Sequence, residues 1–355
     1  MKRPVVVRVA VGLGLGLVLG LAALSRLDAP KTRQLVMSDA IVEPWERLNG
    51  GWWLKPNLDN ALVVQPDRPH WRSEVEKQHA GADTLKRTRS YRLSTSSQRL
   101  RNEEVGPKAP GVVRIVAIGD SVTHGWGVAR NESYPAQLEG YLQAAGHKVE
   151  VINAGVPANR LDTMQNWCER VGVDFDVDWV LWTRRPVPNS HHPTVQYKNT
   201  MQACQRATGA KVLVVLPPIS TFDYRGAQAY RQEGEHLRSA LGPSQPVLEL
   251  TDPFRAAQKG KGVALVPSGG NLNVIDQASG KVLLVVPPPG RPARQTTQDP
   301  PPPLDDKVYA FFEDNLDVRE HLFFDEGHPD AEGFQLFAKE VGDTLIGLFS
   351  NKNQD

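Results

Sequence analysis

Val112-Val113-Arg114-Ile115-Val116-Ala117-Ile118-Gly119-Asp120-Ser121-Val122-Thr123-His124-Gly125 is the stretch on which the reading of this chain turns. Val112 to Ile118 is a short and almost continuous apolar run, which fits a strand covered on both faces better than one facing water on one side. The glycine that ends it, followed by Asp-Ser, marks a sharp turn. The rhythm then repeats downstream. Helix Tyr134 to Ala145 leads to strand Val149 to Asn153, helix Leu161 to Val171 to strand Trp179 to Thr183, and a helix near Val195 to Ala207 to strand Val212 to Leu216. A helix near Ala227 to Leu241 and strand Val247 to Leu250 close the series. Short apolar strands alternating with helices predict a flavodoxin-like three-layer α/β/α sandwich on a five-stranded parallel sheet.

Around this centre lie less regular parts. Residues 29–110 carry Trp45, Trp52, Trp53 and Trp71 among many charges with no sustained period, and are expected to form a membrane-proximal arm packed on the main domain of residues 111–350. After Thr251 the alternation breaks into an insertion at about residues 256–320, with short strands Val263 to Val266, Asn273 to Asp276 and Val282 to Val286, then a Pro-rich stretch from Pro287 to Pro303. A helix from Ala331 to Phe349 completes the domain.

Residues 1–28 read as a signal anchor. Val9 to Leu24 is uncharged and follows Lys2, Arg3 and Arg8, so the positive end stays inside and the rest of the chain is exported. As a helix this run reaches roughly 24 Å, short of a hydrocarbon core of about 30 Å unless Val5 to Val7 join it. Ala23-Leu24-Ser25 also fits a cleavage site, which leaves a secreted protein as the alternative. The glycines at 12, 14, 16 and 20 follow no strand and make no dinucleotide fingerprint. The composition is that of a globular protein, 40% hydrophobic and 23% charged, and 41 Lys and Arg against 40 Asp and Glu give no field to attract nucleic acid. Cys168 and Cys204 each fall on an expected helix, and either form a disulfide in an oxidising compartment or lie buried as thiols.

In a parallel sheet ligands bind beyond the carboxyl ends of the strands. Ser121 stands there, after a turn and before a glycine-containing loop, where a hydroxyl is exposed and backbone N–H groups can face an anion. An isolated Gly-Asp-Ser reads better as a helix cap. Near the end of the chain, however, Leu322-Phe323-Phe324-Asp325-Glu326-Gly327-His328-Pro329 puts an acid and a histidine three residues apart on a turn at the same edge, so that Asp325 can orient His328 and His328 can deprotonate Ser121. Glu326 is the competing acid.

With these residues in view, the chain resembles the SGNH (GDSL-like) hydrolase family. The likeness rests on Gly119-Asp120-Ser121 with Thr123 and Gly125, on Asn153-Ala154-Gly155, and on Asp325-x-x-His328-Pro329, and covers about Val112 to Phe349 apart from the insertion. It implies a serine esterase working through an acyl-enzyme on Ser121, with the N–H groups of Ser121 and Gly155 in the oxyanion hole. One departure stands out. The family's Asn after the third strand is replaced by Trp182-Thr183-Arg184-Arg185-Pro186-Val187-Pro188-Asn189, leaving Asn189 from a shifted loop, or the charge of Arg184 or Arg185, to serve instead. The acceptor side of the chemistry is open: a carboxylic ester hydrolase acting on an acylated envelope glycan or lipid-like ester, an acyltransferase using the same acyl-enzyme, or a degenerate domain that binds envelope polymers without turnover. No cofactor is implied. His124 reads as a solvated loop residue, and the adjacent His191 and His192 are poorly placed to bind one metal together.

Overall fold

The computed structural model describes residues 44–48, 51–66, 88–170, 172–186, 193–221, 224–269, 271–286, 319–323 and 327–350. Of the chain's two units, Met1–Ile41 and Val42–Asp355, all of these belong to the second. Val9 to Leu24 therefore lies outside the described residues, as do Asn189, His191, His192, Pro287 to Pro303, Asp325 and Glu326. No helix among the described residues is long and apolar enough to cross a membrane.

The arm is more regular than its sequence suggests. Strands β1 (Trp45–Leu48) and β2 (Gly51–Leu54) pair antiparallel with Leu48 opposite Gly51, and β3 (Ala61–Pro66) pairs antiparallel with β4 (Thr88–Leu93). The expectation of an irregular segment is corrected here. β1 and β2, of four residues each, are too short to show a period, but Asn49-Gly50 between them is a dipeptide that favours tight hairpins and is the available signal. Trp53 and Leu100 enter the core of the main domain, so the arm is held by apolar burial.

The main domain follows the expected alternation: β5 (Val113–Gly119), α1 (Ser121–His124), α2 (Tyr134–Ala144), β6 (Val149–Gly155), α3 (Leu161–Arg170), β7 (Trp179–Thr183), α4 (Pro193–Thr208), β8 (Lys211–Leu216), α5 (Tyr224–Leu241) and β9 (Val247–Glu249). The sheet order is β6-β5-β7-β8-β9, parallel throughout. Side chains alternate across β5. Ile115 and Ala117 face a layer containing Leu138, Phe334, Phe337 and Val341, while Val116 and Ile118 face Met164, Tyr197, Met201 and Leu237. Each fully buried aliphatic side chain of this kind contributes roughly 1.5–3 kcal/mol, which is why the strand reads as an unbroken apolar run. The chain leaves β5 for β6 on one side and reaches β7 on the other, so the topological switch point lies at the carboxyl end of β5.

Beyond β9 the sequence reading missed α6 (Thr251–Gln258), which buries Thr251, Phe254 and Gln258 on the main domain. The insertion proper forms an antiparallel sheet, β10 (Val263–Ser268), β11 (Asn271–Asp276) and β12 (Val282–Val286) in that order. It is fastened near the carboxyl ends of β8 and β9. Leu265 N–H donates to Thr221 Oγ1 (3.2 Å), and the buried Glu320 carboxylate accepts from Ser220 Oγ (2.6 Å), Thr221 N–H (2.9 Å), Arg255 Nη1 (3.1 Å) and Gln258 Nε2 (2.9 Å). Helix α7 (Ala331–Ser350) then packs beside α2, with Tyr134 stacked on Phe337 at 4.2 Å.

Candidate active site

Ser121 is the first residue of α1 and sits at the switch point, directly past β5. Asp120 precedes it as the helix cap. One carboxylate oxygen of Asp120 accepts from Val122 N–H (3.2 Å) and the other from Arg184 Nη1 (3.1 Å). That carboxylate is thus occupied in fixing the turn. His328 Nε2 lies 2.8 Å from Ser121 Oγ across 207 residues of sequence, within the reach of about 2.6–3.2 Å needed for proton transfer. The loop carrying His328 is pinned by an isolated antiparallel bridge between Phe323 and Pro329 and by Asp330 N–H donating to Leu322 O at 3.0 Å. Leu322, buried, takes a φ of 73°, a left-handed conformation that costs a branched L-residue roughly 1–2 kcal/mol. Trp126 places its ring 6.3 Å from that of His328 and 5.6 Å from that of Trp45 in the arm.

The glycines of the sequence motifs permit close backbone approach. Gly125 ends α1 at a φ of 79°, and a Cβ there would meet Ser133 Cβ at 2.5 Å. A Cβ on Gly155 would lie 2.2 Å from His124 N, so α1 rests directly on the end of β6. The N–H of Gly155 donates to Asn153 Oδ1 at 3.0 Å. The implied oxyanion donor Gly155 thus makes a local bond within its own strand end. Ser121 N–H, in the first turn of α1, has no intrahelical acceptor. Neither Asn189, the other suggested oxyanion donor, nor Asp325, the suggested orienting acid, lies within the described residues.

The two arginines after β7 divide their work. Arg184 bonds Asp120 and the carbonyl of Asn159, which keeps its guanidinium beside the nucleophile turn. Arg185 is locked on Glu249, Thr251 Oγ1 (2.8 Å) and Pro217 O and serves the sheet edge. Beneath α1, Tyr134 O–H links Thr183 Oγ1 (2.7 Å) and Thr123 Oγ1 (3.4 Å), joining α1 to the end of β7.

His124 is fully buried, contrary to the solvated loop position expected for it. Its Nδ1 lies 3.4 Å from Gly155 O and its Nε2 3.0 Å from Tyr91 O–H. A carbonyl only accepts, so Nδ1 carries the proton and Nε2 of the neutral ring accepts from the phenol. Burial first, and the nearby Arg101 charge second, hold His124 well below the ordinary histidine range. It is a neutral structural group. Arg101 is also buried, against the same loop, and sequence reading gave no sign of it because its partners lie 23 to 27 residues downstream.

No family model matches the chain, and no curated protein matches it. Among solved structures, a member of the lipolytic protein G-D-S-L family from Veillonella parvula is 14% identical, with 66% of this chain and 98% of that one covered and a TM-score of 0.42. A two-domain esterase active on acetylated mannans is 14% identical over 66% of this chain and 49% of its own, with a TM-score of 0.40. The lipase/acylhydrolase from Enterococcus faecalis is 20% identical over 41% of this chain and 79% of its own, with a TM-score of 0.35.

Proposed function

We propose that this chain is an extracytoplasmic SGNH-type serine hydrolase that cleaves carboxylic O-acyl esters through an acyl-enzyme on Ser121. The observation that carries the reading is the 2.8 Å contact between Ser121 Oγ and His328 Nε2 at the switch point of a parallel sheet. In this reading His328 takes the hydroxyl proton as Ser121 attacks the ester carbonyl, then returns it to the leaving alcohol. Water, activated by the same histidine, releases the acid. Asp325 is assigned to orient the imidazole, and Ser121 N–H to face the developing oxyanion. The Arg184 guanidinium, beside Asp120, adds positive charge next to the reacting carbonyl.

Export is supported by the positive flank and apolar run before Ser25. The disulfide between Cys168 and Cys204 adds to it, since such bonds persist in oxidising compartments. The natural substrate class in this reading is an acylated envelope glycan or a lipid-like ester. A membrane-impermeant fluorophosphonate applied to intact cells tests both parts at once: the expected result is phosphonylation of Ser121 in a full-length chain that sediments with membranes. Labelling that appears only after lysis removes the extracytoplasmic part and keeps the hydrolase. Failure to label Ser121 in either case removes the hydrolase.

A further inference from the structure

Helix α1 is four residues long, too short to hold itself, since nucleating a single turn is unfavourable in the absence of outside support. Its start is held by the Asp120 side chain. Its end is held from the arm. Arg101, 1% exposed, donates through Nη1 to His124 O (2.5 Å) and Gly125 O (2.7 Å) and through Nη2 to Val128 O (2.7 Å). The guanidinium also lies 5.1 Å from the centre of the Tyr91 ring, whose O–H bonds His124. No carboxylate is among its hydrogen-bond partners in the described residues, and its Nε there has no partner. A buried cation with no paired anion is costly. Here carbonyl dipoles and a ring face compensate it, and all three carbonyls belong to the loop that begins at Ser121.

We infer that Arg101 is a positioning residue for the Ser121 nucleophile, capping the terminal carbonyls of α1 from behind so that Ser121 Oγ stays aligned on His328 Nε2. The inference rests on the serine hydrolase reading above. Arg101 touches no reacting atom. It acts through peptide planes: fixing the carbonyls of His124, Gly125 and Val128 toward the arm leaves the start of α1 turned toward the cleft, and a displacement of about 1 Å at a reacting group can lower the rate on the order of 100-fold. Arg114 supplies the matched control. It is equally buried, 2% exposed, at the other end of β5, and it bonds Glu150 Oε2 (2.8 Å), Phe175 O (2.5 Å) and Gly106 O (2.8 Å), none of them near α1 in the chain.

The experiment compares Arg101→Lys and Arg114→Lys in the full chain, well below the lower Tm, reading kcat and KM on p-nitrophenyl acetate and the rate of Ser121 phosphonylation by a fluorophosphonate. Arg101→Lys should lower kcat and the phosphonylation rate about 10- to 100-fold with KM within about twofold, while Arg114→Lys keeps kcat within about twofold. Equal losses in the two variants, or wild-type kcat in Arg101→Lys, overturn the inference. Where Arg101→Lys does not fold, Tyr91→Phe decides: deleting the O–H bond to His124 should lower kcat about 2- to 10-fold at unchanged KM, and wild-type kcat there overturns the proposal. A wild-type chain that is never labelled at Ser121 overturns the hydrolase reading itself, an outcome separate from all of these.

Discussion

The two edges of the parallel sheet are built on different terms. At the amino edge the buried Arg114 is matched: it has Glu150, while Asp178 accepts Arg114 N–H at 2.8 Å and Lys108 Nζ at 3.1 Å. Helices that run back against the strands also end there, and near those ends the buried Cys168 of α3 and Cys204 of α4 are joined by the disulfide. At the carboxyl edge the pairs Arg184–Asp120 and Arg185–Glu249 stand beside a buried cation that bonds only carbonyls. Among the described residues Arg101 bonds no carboxylate, His124 is buried neutral, and Leu322 and Ala158 hold φ values of 73° and 58°. A buried cation without a bonded carboxylate among the described residues thus sits where a short helix presents a serine, while the amino edge, with its own positive-φ residue in Asp176 (49°), carries the disulfide.

Substitutions at the two edges should therefore separate activity from stability. The largest effect belongs to Ser121→Ala, which should lower kcat on a short p-nitrophenyl ester roughly 10,000-fold or more while Tm stays near wild type. Turnover within tenfold of wild type, by the same assay, would put the nucleophile elsewhere. The amino edge should behave in reverse. Replacing Cys168 and Cys204 together by Ala opens a link spanning 36 residues and should cost about 3–4 kcal/mol in urea unfolding, yet leave kcat unchanged at temperatures where the variant is folded. A fall in kcat with stability intact would erase the distinction between the edges.

The smallest effect sharpens the comparison through pH. His124 is held neutral in the fold, whereas the unfolded chain binds a proton there below its ordinary value of about 6.5. Proton uptake by the unfolded state makes stability fall as pH falls below that value, by up to about 1.4 kcal/mol per pH unit from this one group. His124→Gln should flatten the slope of unfolding free energy between pH 6.5 and pH 5, measured by denaturant titration at each pH. A slope equal to that of the wild type would mean that another group carries the dependence.

Much of this was legible in the chain's own pattern. Val113–Gly119, Val149–Gly155 and Trp179–Thr183 announce a doubly covered sheet because burial on both faces leaves no polar alternation to read. Ser121 and His328 could be named because strand order puts both at one edge. Other features depend on partners that local sequence does not reveal. His124 is buried by Tyr91 and Gly155, 33 and 31 residues away, and the Gly155 N–H is taken by a side chain two residues back, a geometry that no motif encodes. Helix α6 begins at Thr251, where the strand–helix alternation ends, and carries Pro253 in its first turn, where proline is tolerated. Strands β1 and β2 of the arm, of four residues each, are too short for a period of two to emerge.

The separation of 207 residues between Ser121 and His328 also sets a schedule. On a ribosome adding about 5–20 residues per second, the histidine follows the serine by roughly 10–40 s. Through that interval the sheet can begin to form while the hydroxyl has no base, and proton transfer waits until α7 has docked against α2. The nascent chain is therefore catalytically silent. A product truncated between Ser121 and His328 carries the serine without the histidine, so under the proposed mechanism abortive synthesis releases no half-finished esterase.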